Sequence, residues 1–112
     1  MVRAKISVGV AYGSETDLVK KALMESTLKV KKVLHYPEPA ILFADFGDNS
    51  LNSELYFWTR VGNVFQVRKV ASDIRYEIDK MFREKGIEIA FPQLDLKIKK
   101  SEPMQIELTQ SP

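Results

Sequence analysis

The chain has 112 residues, 45% hydrophobic and 29% charged, which suits one globular domain and is too short for two. Its 17 basic and 15 acidic side chains leave a net charge of +2, too balanced for nucleic acid as the main partner. There is no cysteine, which excludes disulfides, thiolate metal sites and cysteine nucleophiles together. No apolar stretch approaches the roughly 20 residues that cross a bilayer, and the first residues lack the apolar core of a signal peptide.

Residues 5–12 alternate. Ile6, Val8, Val10 and Tyr12 share one face and the small residues Ser7, Gly9 and Ala11 share the other, which predicts a strand. Gly13-Ser14 breaks it. Ser14 or Thr16 is the expected cap of a helix over about 15–29, with Glu15 and Asp17 in its first turn, where the helix dipole favours anions. Leu18, Val19, Ala22, Leu23, Ser26 and Val30 form its apolar stripe.

Tyr36-Pro37-Glu38-Pro39 excludes helix, because two prolines restrict the residues before them to extended or turn geometry. Residues 40–46 form a short apolar run consistent with a strand. Gly47-Asp48-Asn49-Ser50 is a group of turn formers, and residues 51–61 alternate again, so the two runs make an antiparallel hairpin.

From Val67, the positions Val70, Ala71, Ile74, Ile78, Met81 and Phe82 give the strongest helical stripe of the chain. Gly86 is the expected C-cap, after Arg83 and Lys85 in the last turn. Residues 87–91 read as a short final strand closed by Pro92, and residues 94–98 as a further extended piece. The order β-α-β-β-α-β predicts an α+β, ferredoxin-like fold: a four-stranded antiparallel sheet with two helices on one face, plus a C-terminal strand. The expected organisation is a ferredoxin-like domain over 1–93, a strand over 94–99 and a flexible tail over 100–112.

Little in the chain suggests catalysis. The only histidine, His35, has no cysteine to share a zinc ion and no evident nucleophile or orienting acid. Gly13-Ser14-Glu15-Thr16-Asp17 lacks the glycines and lysine of a phosphate loop, and its acids would repel phosphate. Asp45, Asp48 and Glu54 do not have calcium-loop spacing and are accounted for by the turn and by sheet-face charges. Tyr56 and Trp58 share a strand face with Arg60. The surrounding octamer does not fit the RNA-recognition pattern, so the two aromatics are candidates for a protein interface. The expectation is no enzyme activity, no cofactor and no metal.

Four segments resemble the small-conductance mechanosensitive channel (MscS-like) family. They are Val8 to Val19, the Pro37-Glu38-Pro39 turn, Phe46 to Trp58, and Ile78 to Gln93. They occur in order and at the family's spacing from about Val8 to Ile98. One departure is Ala90, where the resemblance leads one to expect proline in an Ile-Pro-Phe-Pro-Gln run.

The resemblance implies the C-terminal cytoplasmic α/β domain of a homo-heptameric channel that opens under membrane tension in hypo-osmotic shock. The domain would form the lower part of a cytoplasmic cage with side portals. The membrane helices and middle β-domain would then lie outside this sequence, and the chain itself would be soluble and would not conduct. Leu94, Leu96 and Ile98 would supply one strand of a parallel barrel at the base and, with Tyr56 and Trp58, the subunit contacts. Isolated from those other segments, the chain could be monomeric or dimeric. The rival reading is a ferredoxin-like regulatory module that binds a small ligand as a dimer.

Overall fold

The computed structural model describes residues 1–90. Strand β1 (Val2–Val10) leads to helix α1 (Thr16–Leu28), a hairpin of β2 (Ala40–Phe46) and β3 (Leu51–Thr59), and helix α2 (Val64–Lys85). The three strands form one antiparallel sheet in the order β1-β3-β2. The α+β architecture and both helices therefore agree with the sequence reading, whereas the sheet has three strands among the described residues instead of four.

The expected final strand is represented there by a single antiparallel bridge from Ile89 to Val10. The amide of Ala11 donates to the carbonyl of Glu88 at 2.9 Å, and the amide of Ala90 donates to the carbonyl of Gly9 at 3.0 Å. Residues 91–93 and the extra strand expected over 94–98 lie outside the described residues.

β1 begins three residues earlier and ends two residues earlier than its alternation suggested. Its nine residues pair with all nine of β3, from Val2 opposite Thr59 to Val10 opposite Leu51. Pairing, which one strand's pattern does not reveal, sets these ends. Tyr12 thus lies beyond the strand, exposed, with its hydroxyl donating to the carbonyl of Gly47.

The expected cap of α1 is also different. Glu15 takes the N-cap position without a side-chain hydrogen bond, while the Ser14 hydroxyl turns back to the carbonyl of Ala11 at 2.7 Å. A serine that can bond its own turn competes with its use as a helix cap. Asp17 does occupy the first turn.

Both helices cover one face of the sheet. Ile6, Val10, Leu55 and Phe57 from the strands form one buried cluster with Val19, Ala22 and Leu23 of α1 and Val70, Ile74, Ile78, Met81 and Phe82 of α2. The stripe of α2 is the one its spacing predicts. α1 also buries Ser26 and Thr27, whose hydroxyls donate to the carbonyls of Ala22 and Leu23, each at 2.7 Å. These bonds satisfy the hydroxyls inside the apolar interface.

α2 starts at Val64, before the expected Val67, because Asn63 caps it by accepting from the Gln66 amide at 2.9 Å. At the other end Gly86 adopts φ 70°, ψ 26°. Its amide bonds Arg83 at 3.4 Å and that of Ile87 bonds Phe82 at 2.9 Å, the pattern of a Schellman motif.

Candidate interaction surface

The helices leave the opposite sheet face uncovered among the described residues. Alternation puts Arg3 and Lys5 of β1 and Glu54, Tyr56 and Trp58 of β3 on that face, because Leu55, Phe57 and Thr59 turn inward. Lys5 lies opposite Tyr56 and Arg3 opposite Trp58. The Arg3 guanidinium stands 5.5 Å from the centre of the Tyr56 ring, within cation–π range. The Tyr56 hydroxyl donates to Glu54 Oε1 at 3.0 Å, and Lys5 Nζ lies 3.7 Å from Glu54 Oε2. The result is a small ordered platform of charge and aromatic surface. Tyr56 and Trp58 are half-buried on it, two residues apart, as their spacing indicated.

Beyond β2, the segment before the prolines continues along the same edge of β3. The Leu34 amide donates to the Trp58 carbonyl at 2.8 Å, and Val33 bridges Thr59. The backbone of Trp58 is therefore held on both sides, since Arg3 lies opposite it on β1. The intervening turn contains a cis Tyr36–Pro37 bond. The other interface candidates, Leu94, Leu96 and Ile98, lie outside the described residues.

The sequence missed a second exposed region. The apolar run 40–46 forms an edge strand, with Leu42, Phe43 and Phe46 exposed and the rings of Phe43 and Phe46 4.9 Å apart. An apolar run predicts a strand but does not say whether it lies at the centre or the edge of the sheet. A bulge between Phe43 and Asp45 shifts the register of this edge.

Its turn is tightly closed. Asn52 donates to Asp45 Oδ1 at 2.7 Å, Ser50 donates to Asn52 Oδ1 at 2.6 Å, and the Gly47 amide bonds the Ser50 carbonyl at 2.7 Å. A Cβ on Gly47 would lie 2.7 Å from Asn52 Nδ2, so the close approach requires glycine. Asp45 and Glu54 are each engaged by neighbouring side chains. Among the described residues no three histidine, cysteine or carboxylate side chains come together as metal ligands would.

A cleft of about 190 Å³ lies between the start of α1 and β2, lined by Val10, Val19, Ile41, Phe43 and Leu51 with Asp17 and Lys20 at its rim. It is small for a ligand pocket. No helix among the described residues is long and apolar enough to cross a membrane.

Comparison with known proteins identifies the fold. Residues 4–89 match the family model for the C-terminal region of the mechanosensitive ion channel MscS. The chain is 36% identical over 102 residues to an MscS family protein of Haemophilus influenzae, covering 91% of this chain and 9% of that protein. It is 33% identical over 94 residues to the mechanosensitive channel MscK of Escherichia coli, covering 84% and 8%. The crystal structure of Helicobacter pylori MscS in its closed state superimposes with a TM-score of 0.72 at 31% identity, covering 88% of this chain and 38% of that one. The chain thus spans under two-fifths of the length of each of these proteins. It belongs to the MscS family of mechanosensitive channels and carries that family's C-terminal domain.

Proposed function

We propose that this domain is an assembly module of a mechanosensitive channel, forming part of the cytoplasmic cage below the pore and serving the response to hypo-osmotic shock. The observation that carries the reading is the match of residues 4–89 to the MscS C-terminal model, supported by the overlay on H. pylori MscS. The geometry fits a structural role. Its conspicuous surfaces are an aromatic-bearing sheet face and an apolar edge strand, both of the kind that dock proteins.

In this reading Tyr56 and Trp58, together with Leu94, Leu96 and Ile98, contribute contacts in a homo-heptamer. The chain divides into a ferredoxin-like domain over 1–93, a barrel strand over 94–99 and a tail over 100–112. A fourth strand would run along the free edge of β1, where Ile89 bridges Val10. The remaining channel segments would connect this domain to the inner membrane from its cytoplasmic side.

The test is survival of hypo-osmotic shock. Cells lacking their own mechanosensitive channels would receive a full-length MscS channel whose C-terminal domain is replaced by this one. Rescue comparable to the parent channel supports the reading. A chimera that reaches the membrane but neither assembles nor protects the cells, while the parent channel in the same cells does both, contradicts it.

A further inference from the structure

Among the described residues β2 is an edge strand with little to protect it. Five of its seven residues, Leu42 to Phe46, are exposed, and Asp45 is its only charged side chain. Sheet edges are ordinarily short, charged or covered, because their unpaired amides and carbonyls pair with any free strand. Beside this edge lies the cleft between β2 and the start of α1, with Val10, Ile41, Phe43 and Leu51 in its walls. At about 190 Å³ it falls below the roughly 300 Å³ of small-molecule sites and is nearer the ~150 Å³ that holds one benzene-sized apolar group. It is therefore the size for a single large apolar side chain.

Beyond residue 90 the sequence alternates twice, at Leu94, Leu96 and Ile98 and again at Met104, Ile106 and Leu108. The second set is interleaved with Gln105, Glu107 and Thr109, which gives one apolar and one polar face, the pattern of a strand covered on one side. Pro103 stands just before it, where a strand tolerates proline. Chain length decides which set reaches β2. Ile89 bridges Val10, Val10 pairs with Leu51 and Leu51 with Phe46, so a strand added beyond β2 lies four inter-strand spacings from Ile89, about 19 Å. Four residue steps lead from Ala90 to Leu94 and span at most about 14 Å, so the first set falls short. Fourteen steps lead from Ala90 to Met104 and span up to about 46 Å, so the second set reaches with slack.

We infer that residues 104–109 add to the free edge of β2 in the same chain, as a displaceable cover. Met104, Ile106 and Leu108 turn toward the helix side, with Ile106 over the cleft and its neighbours over the rings of Phe43 and Phe46. Gln105, Glu107 and Thr109 face the other way. Main-chain hydrogen bonds to the edge supply the attachment, and the apolar side chains supply the register. Ordering each residue costs about 1–2 kcal/mol, so a cover of six residues is held weakly and gives way to a competing strand. The edge is thereby guarded against indiscriminate pairing while it stays available for docking. The inference does not rest on the assembly role proposed above.

Amide hydrogen exchange of the full 112-residue chain tests it. The β2 amides that do not bond β3 are expected to be protected in the parent chain. Ile106→Asp is expected to speed their exchange at least about tenfold, while Glu107→Gln, on the opposite face, leaves it unchanged. The amides shared by β1 and β3 are expected to stay protected in both variants, which shows that both are folded. A spin label locates the segment directly. The chain has no cysteine, so Thr109→Cys carries a single nitroxide, which is expected to broaden the amides of residues 40–46 in its own chain. Edge amides of β2 that exchange in the parent as in an unfolded peptide overturn the inference, as does Ile106→Asp with no effect or with the same effect as Glu107→Gln. Broadening that appears in isotope-enriched, unlabelled chains mixed with labelled ones also overturns it, because the segment then lies on a neighbouring molecule.

Discussion

The amide of Ala90 donates to the carbonyl of Gly9 at 3.0 Å, at the place where the family resemblance led one to expect proline. A proline has no amide to give. In this chain the segment after α2 is therefore tied to β1 by a bond that a proline would remove, alongside the bond from Ala11 to Glu88. Ala90→Pro is predicted to cost about 0.5–1.5 kcal/mol in urea unfolding and to speed hydrogen exchange at the Ala11 amide. Unchanged exchange at Ala11 would mean that the two bonds are independent.

Gly47 is predicted to resist substitution. The Asn52 amide that a Cβ would strike at 2.7 Å is fixed by Asp45 and Ser50, so it cannot swing aside without losing those bonds. Gly47→Ala is expected to destabilise by about 1–3 kcal/mol, measured by urea unfolding. Asn52→Ala in the same background removes the obstacle, and the double variant should lose less than the sum of the two single losses.

Leu55 is fully buried at the centre of the sheet, beneath both helices. Leu55→Ala should cost about 2–5 kcal/mol, a large share of the stability of a domain this size. Asn63→Ala removes the side chain that accepts from Gln66 and should cost about 1 kcal/mol. Thermal unfolding of the two variants, side by side, checks the predicted order.

Phe46 is 75% exposed, so Phe46→Lys should change stability by no more than about 0.5 kcal/mol. Its predicted effect is on association, which should weaken in sedimentation velocity at concentrations where the parent chain associates. Equal losses of stability and association would make Phe46 a structural residue only.

Much of the fold was legible because the two helices carry their own periodicity. The stripe from Val70 to Phe82 and the Gly86 stop are local signals, and the structure follows them. What a single segment cannot encode was read less well. The ends of β1 depend on its pairing with β3, and the exposure of Phe43 depends on β2 being an edge. The earlier start of α2 was present in the sequence as Asn63 followed three residues later by Gln66, a pairing that marks a helix entry. Tyr56 and Trp58 were legible as surface aromatics through alternation alone. The ring of Tyr56 under Arg3 was not, because that contact crosses strands 53 residues apart in the chain.

The most direct test of the assembly role is the mass of the chain in solution, by light scattering over a wide concentration range, with and without residues 94–112. The intact chain is predicted to rise above the monomer mass as concentration increases, and truncation to lower this association. A tight dimer that truncation leaves unchanged would contradict it, and would point instead to a module that acts as a two-fold pair.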